Sequence, residues 1–178
     1  VGSGSLVTVL TVDWVNAPRS RVTKVTENER GLERHFEYAT INYATDGLYW
    51  DHLVGVQTRP VGVARTMKQD VTAYVTAELN RNLVSEETAF AAYAEYGQEC
   101  TSAADCGSGW SPSCTANKCD LACTSNANCT RTGGKCLNNT CMELVTKRTF
   151  DFDGERRRNK VSIFRNSSTT ASATETWP

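Results

Sequence analysis

The residues of this sequence with the clearest chemical potential are eight cysteines, all of which lie in residues 100–141. Cysteine sulfur either joins a second cysteine in a disulfide or binds a metal as a thiolate. Structural zinc sites use a C-x2-C step with further cysteine or histidine, whereas the tightest step here runs from Cys119 to Cys123, and the two histidines, His35 and His52, lie far upstream. The spacing favours disulfides, and therefore an oxidising, extracellular compartment. We expect no metal ion and no organic cofactor.

The cysteines form two units with matching spacing. The first reads C-x5-C-x7-C-x4-C over residues 100–119, and the second reads C-x5-C-x6-C-x4-C over residues 123–141. Both units open with Cys-Thr-Ser, carry glycines between their second and third cysteines, and place asparagine two residues before the last cysteine. Because spacing and flanking residues match together, an internal duplication is the economical explanation.

Eight cysteines allow about 105 pairings. Repetition favours bonds inside each unit, because both copies should fold alike. Within a unit, our working hypothesis joins the first cysteine to the third and the second to the fourth. The predicted pairs are Cys100–Cys114, Cys106–Cys119, Cys123–Cys136 and Cys129–Cys141. Each bond closes a loop of about 14 residues, and the resulting loss of entropy in the unfolded chain stabilises the folded state by about 3 kcal/mol.

A C-x5-C step with glycine, followed by C-x4-C, resembles small cysteine-rich repeats of eukaryotic secreted proteins, including the Dickkopf-type and epidermal-growth-factor-like modules. The resemblance covers residues 100–141 only. The epidermal-growth-factor-like pattern has six cysteines per unit, whereas each unit here has four. The resemblance implies a role in adhesion, signalling or extracellular structure, without catalysis.

Three N-x-[ST] sequons could carry N-linked glycans in a secreted eukaryotic protein, and they begin at Asn128, Asn138 and Asn166. Asn128 and Asn138 lie inside the second cysteine unit. We therefore expect the cysteine block to be an outward-facing, glycan-bearing surface, and the hydrophobic core to lie in the flanking segments. The alternative is an unmodified asparagine in a turn at each position.

A catalytic site has little support in the sequence. His35 and His52, with Asp46 or Asp51 and a serine, could be arranged as a hydrolase site. However, the sequence has no G-x-S-x-G motif, and we expect no free nucleophilic cysteine. We therefore predict that the protein is not an enzyme and has no catalytic residues.

A cluster of acidic residues near the C-terminus, Asp151, Asp153 and Glu155, could hold calcium. The helix-loop-helix calcium signature is missing, so the hydrogen bonding of a turn explains these residues better. The basic residues that follow, at 156–158 and 160, are interpreted as the charged protection of an edge strand.

The segments around the cysteine block predict a sheet. Residues 6–15 are rich in β-branched residues and carry apolar side chains on both faces, which is typical of a central strand covered on two sides. Asp-Gly turns predict two antiparallel hairpins. The second hairpin should join the sheet that the N-terminal strands begin. Beyond 6–15, strands are expected at residues 21–26, 35–44, 48–57, 61–65, 142–152 and 156–165.

Two helices are predicted between these strands and the first cysteine. Apolar residues recur at every fourth position, which favours a helix, at Met67, Val71, Val75, Leu79 and Leu83. Alternation over residues 71–77 leaves a strand possible. A second helix would begin at a Ser85 cap with two glutamates in its first turn and end at Gly97. The predicted fold class is thus α+β: a mostly antiparallel β-sheet domain with two helices and an inserted disulfide-rich tandem repeat.

The predicted organisation has four parts: a β-rich domain at residues 1–99, the cysteine block at 100–141, a returning hairpin at 142–165 and a Ser/Thr-rich tail at 166–178. The chain starts at Val1 without a signal peptide, as expected for a processed mature protein or a fragment. No apolar run is long enough to span a bilayer. The net charge of −1 argues against nucleic acid or anionic lipid as the main partner.

These patterns favour a secreted or cell-surface structural protein that self-associates as a subunit of a filament or surface layer. Its assembly strand would be the N-terminal one, donated to a neighbour's sheet through Leu6, Val7, Val9, Leu10, Val12 and Trp14. The alternative is an ordinary monomer whose first strand pairs within its own sheet. The alternative function is a secreted or receptor-ectodomain binding module whose repeats recognise an extracellular protein or glycan. A small secreted enzyme or inhibitor is the third possibility.

Overall fold

The computed structural model describes residues 10–16, 20–43, 48–63, 65–76, 82–108, 113–120, 122–166 and 168–177. These residues form an almost entirely antiparallel β structure. In chain order the strands are β1 (Leu10–Val15), β2 (Arg21–Glu27), β3 (Leu32–Tyr43), β4 (Leu48–Pro60), β5 (Lys68–Tyr74), β6 (Val84–Ala92), β7 (Ser113–Thr115), β8 (Lys118–Asp120), β9 (Lys135–Leu137), β10 (Thr140–Phe152), β11 (Arg158–Arg165) and β12 (Ala173–Thr176).

One sheet contains ten of these strands. Its order is β1-β2-β3-β4-β5-β6-β10-β11-β12, with β9 paired beside one end of β10, while β7 and β8 form a separate two-stranded sheet. Every neighbouring pair in the large sheet is antiparallel. In the described part of the chain, no helix has the length and apolar character needed to cross a membrane.

The long strand β10 connects the cysteine block to this sheet. Its first residues pair with β9 inside the second cysteine unit, and its later residues pair with β6 on one side and β11 on the other. The chain therefore passes from Cys141 directly into an interior strand of the sheet.

The prediction of two helices is wrong, because most of the described residues of the first segment form the strand β5 and most of the second segment forms the strand β6. β5 and β6 pair with each other, with Val71 opposite Thr88. A four-residue period is also a multiple of the two-residue period of a strand, so the apolar spacing fits either structure. Residues 77–81 lie outside the described residues. Among the described residues, helical structure is limited to single 3-10 turns, and the α+β fold class is replaced by a nearly all-β one.

The second of these segments is rich in alanine and glutamate, yet it forms β6 because strands flank it on both sides. β5 and β10 supply its hydrogen-bonding partners. Phe90 is buried on one face of β6, and Glu86 lies 2.5 Å from the ammonium of Lys147 on β10. These long-range contacts override the helical propensity of Ala and Glu.

Both predicted hairpin pairs are present. β3 pairs with β4 out to Tyr43 opposite Leu48, and the connecting residues, including Asp46, lie outside the described residues. β10 pairs with β11 out to Phe152 opposite Arg158, around the turn that contains Gly154.

The two ends of the sheet differ from the sequence prediction. β1 is the outermost described strand at one end rather than a central strand, and 53% of Leu10 and 63% of Trp14 are exposed. The assembly-strand residues Leu6, Val7 and Val9 lie outside the described residues. At the other end, β12 pairs with β11, so the basic strand predicted to be an edge is interior, and part of the Ser/Thr-rich tail belongs to the sheet.

The expectation that the core would lie in the flanking segments is also wrong. The sheet buries a few apolar residues, among them Phe90 and Phe150. The main buried cluster instead joins Tyr93, just after β6, to six cysteines: Cys100, Cys106, Cys119, Cys123, Cys129 and Cys141. Disulfide sulfur is compact and apolar, so short cross-linked loops can bury it without a second sheet layer.

Candidate functional site

All eight cysteines form disulfides, and the described residues include no free cysteine. The bonds are Cys100–Cys114, Cys106–Cys119, Cys123–Cys136 and Cys129–Cys141, the same four pairs as in the working hypothesis. In each unit three sulfur atoms lie within 4.8 Å of one another, a proximity that reduced thiolates could offer to a metal. A sulfur atom in a disulfide carries no thiolate charge for that purpose.

The two units repeat the same capped turn. In the first unit, Asp105 Oδ2 accepts hydrogen bonds from the backbone N–H groups of Thr101 and Ser102, at 2.8 and 2.9 Å. In the second unit, Asn128 Oδ1 accepts from the backbone N–H groups of Thr124 and Ser125, at 3.0 and 3.1 Å. Each acceptor is the residue before the second cysteine of its unit, so the structure supports duplication.

The last hairpin of each unit is also repeated. The turn residues Ala116 and Asn117 have positive φ, as do Asn138 and Asn139 in the second unit. The first cysteine of each unit then donates its backbone N–H to the carbonyl oxygen of the second turn residue, at 3.1 Å in both copies. Asparagine tolerates this left-handed conformation better than most residues, which explains its repetition before the last cysteine.

These shared turns leave a shallow depression at the same place in each unit. The first is lined by Glu99, Cys100, Thr101, Asp105 and Asn117. The second is lined by the equivalent residues Ala122, Cys123, Thr124, Asn128 and Asn139, together with Arg65. The lining of the first depression therefore includes two carboxylates, of which Glu99 pairs with Lys118, whereas the lining of the second includes the Arg65 guanidinium, which pairs with Asp120.

Asp105, in the first depression, keeps its negative charge to low pH. Hydrogen bonds from the hydroxyl and backbone N–H of Thr101, and from the backbone N–H of Ser102, lower the pKa of Asp105 from 3.8 to about 2. Donors to a carboxylate stabilise its ionised form. Asn128 keeps the same turn in the second unit without any ionisable group.

Arg65, in the connection between β4 and β5, holds both units to the sheet. Its guanidinium makes a bidentate contact with Asp120 of the first unit, at 2.6 and 2.7 Å. A third nitrogen donates to the backbone carbonyl of Asn139 in the second unit at 2.7 Å. The sequence predicted a strand at residues 61–65, but the described residues there form a turn and bend. No pattern in the sequence identifies this contact.

Arg131 makes the complementary connection from the second unit. It forms an ion pair with Glu95, lies 4.5 Å from the ring centre of Tyr93, and donates to the backbone carbonyl of Ser108 in the first unit. Its hydrogen bond lowers the pKa of Glu95. Gly134 lies against Tyr93, because a Cβ at this glycine would be 2.1 Å from the phenol oxygen. The cysteine block is thus packed onto the sheet and is not only an exposed surface.

The three sequons occupy different environments. Asn166 is exposed at the end of β11. Asn128 is half-buried, and its side-chain oxygen caps the turn described above. Asn138 donates from Nδ2, the atom that would carry a glycan, to the side-chain oxygen of buried Gln69 on β5 at 2.8 Å. Attachment at Asn138 would therefore replace a contact between the second unit and the sheet.

The histidines considered for catalysis are separated on the sheet. His35 lies opposite Gln57, while His52 lies opposite Ala39, four positions along β3 from His35. His35 Nε2 is 2.9 Å from Glu33 Oε1, whereas His52 Nε2 is 3.0 Å from the side-chain oxygen of Asn82. The other proposed member of that site, Asp51, lies 2.7 Å from the Thr40 hydroxyl.

The acidic residues around Gly154 serve a turn. Asp153 accepts from the backbone N–H groups of Glu155 and Arg157 and forms an ion pair with the Arg157 side chain at 2.9 Å. These donors, with the Arg157 side chain first among them, lower the pKa of Asp153. Asp151 lies 3.5 Å from the ammonium of Lys160 across the hairpin. The carboxylates are thus engaged by backbone and cationic groups of the same hairpin.

The outermost strand β1 is the second candidate site. Successive side chains of a strand alternate between faces, so Leu10, Val12 and Trp14 share one face. The charged residue of β1, Asp13, lies on the other face, 2.7 Å from the ammonium of Lys24 on β2. β1 pairs with β2 within its own chain. Its opposite side has no partner strand among the described residues.

Comparison with known proteins gives no relative: no protein-family model, no curated protein and no solved structure matches this chain.

Proposed function

We propose that this chain is an extracellular, non-catalytic structural protein that self-associates by strand addition, as a subunit of a filament or surface layer, and that it carries N-linked glycans. Four disulfides are compatible with an extracellular location. The observation that carries the proposal is the exposed apolar edge of the sheet at β1, where Leu10, Trp14 and Val15 are all exposed.

An exposed edge strand usually carries protection against pairing with other chains, such as charge, proline or a short length. β1 has six residues, no proline and one charged side chain, which Lys24 neutralises on the face away from Leu10 and Trp14. Its pairing with β2 has one irregularity, between Asp13 and Trp14, and the extra residue lies on β2, so β1 itself is continuous. Its outer edge therefore combines backbone hydrogen-bonding groups with an apolar face. Because β1 already pairs with β2, assembly would add a strand at this edge rather than donate β1 itself.

Substitution at this edge tests the proposal. We expect the native protein to self-associate with rising concentration in sedimentation velocity, and Trp14→Lys to remain monomeric because it adds a charge to the edge. Val63→Lys is the matched control, since Val63 is exposed in the β4–β5 connection, away from β1. Electron microscopy of the native protein would show whether the associated species are filaments or sheets. A native protein that stays monomeric, or a Trp14→Lys variant that assembles normally, would contradict the proposal.

The matched depressions of the two cysteine units favour a second candidate function, that of a binding module for an extracellular glycan or protein. This is also what the resemblance to Dickkopf-type and epidermal-growth-factor-like modules implies. Glu99→Lys and Ala122→Lys would change the depressions without removing a turn or a disulfide. Loss of binding to a glycan array in both variants, with unchanged self-association, would favour the second candidate. Equal binding by the native protein and both variants would exclude the depressions as the binding site.

A further inference from the structure

We propose that β1 pairs in antiparallel fashion with β1 of a second copy of this chain, about a two-fold axis that passes between the two Val12 residues. This inference rests on the proposed self-association and specifies its partner strand, register and symmetry. It also implies that the β1 edge forms a closed dimer, so that any larger assembly needs a second contact.

The direction of the strands favours β1 with β1 over β1 with β12. Eight antiparallel steps separate β1 from β12 along the sheet, so the two outermost strands run in the same direction. A second copy added in the same orientation would therefore place β12 parallel to β1. A two-fold axis perpendicular to the sheet instead continues the antiparallel hydrogen-bond pattern of every other pair.

The other end of the sheet is a poorer surface for pairing. β12 has four residues, all exposed, and Ala173 is its only apolar one. Its glutamate, Glu175, would face another Glu175 if the axis passed at its own position. The longer and more apolar β1 is thus the better template for a second copy.

The sequence of β1 selects one register among the symmetric ones. With the axis at Val12, Leu10 faces Trp14 of the second copy, Val12 faces Val12, and Thr11 faces Asp13. Leu10, Val12 and Trp14 then each meet an apolar side chain on the same face, while Val15 extends beyond the described strand of the second copy. With the axis at Asp13, two carboxylates would face each other, which is unfavourable in a cross-strand pair. With the axis at Thr11, Trp14 would extend beyond the described strand of the second copy.

The selected register also joins two apolar surfaces. Leu10, Val12 and Trp14 lie on the same face as Val25 of β2, which is directly opposite Val12. The two-fold axis keeps this face on the same side in both copies. The dimer would therefore present one continuous apolar strip across both β1 strands on one face of the sheet. The Asp13–Lys24 pairs would lie on the opposite face.

Disulfide trapping measures the register. Directly opposed residues of an antiparallel pair have Cα atoms about 4.5–5.5 Å apart, within the range of a disulfide, whereas diagonal positions are farther apart. We expect Val12→Cys to give a covalent homodimer under mild oxidation. Thr11→Cys and Asp13→Cys should each give little homodimer alone, but a covalent heterodimer when mixed. Non-reducing peptide mapping should show that the four native disulfides are intact.

Affinity provides a second measurement. Trp14→Ala removes two symmetry-related pairs per dimer, so we expect the dissociation constant to rise about 2- to 30-fold. Val63→Ala is the matched control and should leave it unchanged.

Suppose that the native protein self-associates, but that Asp13→Cys is the only variant to form a covalent homodimer, or that no β1 variant forms one. The proposed register is then overturned, while self-association stands. If the native protein is monomeric at every concentration, both the inference and the proposed function fail.

Discussion

Replacing Arg65 with alanine should loosen the cysteine block from the sheet. The guanidinium makes three contacts of 2.6–2.7 Å, two to the Asp120 carboxylate and one to the Asn139 carbonyl. Hydrogen bonds that involve a charged group each contribute about 1.5–3 kcal/mol. The side chains of Arg65 and Asp120 are 26% and 22% exposed, so water can replace part of what is lost. We expect the free energy of unfolding to fall by about 2–3 kcal/mol in total.

Thermal unfolding with native disulfides is the direct assay. For a chain of this size, a loss of 2–3 kcal/mol corresponds to a fall in Tm of about 4–12 °C. Hydrogen exchange should show the change at β8 and at the turn before β10, which Arg65 contacts. Arg65→Lys keeps a positive charge but not the planar two-point contact, so its loss should be intermediate.

Lys118→Ala provides the control for a surface ion pair. Lys118 lies 3.1 Å from Glu99, and the two side chains are 52% and 89% exposed. Such pairs contribute about 0–1 kcal/mol. An Arg65→Ala variant no less stable than Lys118→Ala would refute the reasoning that Arg65 fastens both units to the sheet.

Three further predictions concern the cysteine units. Hydrogen bonding lowers the pKa of Asp105 in the folded state, so the stabilisation from its cap should be fully present above pH 3.8 and be lost as the pH falls towards about 2. Asp105→Asn should keep the cap and remove this pH dependence. The chemical shift of the Thr101 amide in NMR follows both effects. Gly134→Ala should cost about 1–3 kcal/mol in chemical denaturation, because its Cβ would overlap Tyr93 and the Cys129 carbonyl, whereas Gly154→Ala, with open space around it, should be near neutral. Glycopeptide mass spectrometry after secretion from eukaryotic cells should find higher occupancy at Asn166 than at Asn138, whose Nδ2 binds Gln69; the reverse order would contradict this prediction.

The sequence predicts the cysteine pairing and the hairpins because both depend on short spacings. A repeat of four cysteines limits which loops can close, and an Asp-Gly dipeptide marks a turn wherever the flanking residues suit strands. The capped turns can also be predicted from the sequence, because Ser102 and Asp105 have the spacing of a capping box. Ser125 and Asn128 repeat that spacing.

The remaining features depend on contacts between distant residues. The segment that forms β6 reads as a helix, and only β5 and β10 make it a strand. The strand at 10–15 reads as central because apolar residues occur on both faces, but its position in the sheet depends on which strands pair beside it. Arg65 and Arg131 fasten the cysteine units through partners that are 55 and 36 residues away in sequence. No local pattern marks such residues.

The path of β10 has a mechanical consequence. The Cys129–Cys141 bond places a covalent link at the start of this strand, which then runs between β6 and β11. A pull on the second cysteine unit, directed along β10, would load the hydrogen bonds to β6 and β11 together, in shear, instead of opening them one at a time. Tension applied to the cysteine units would then be transmitted to the middle of the sheet through β10. β1, at the far edge of the sheet, would carry none of that load directly.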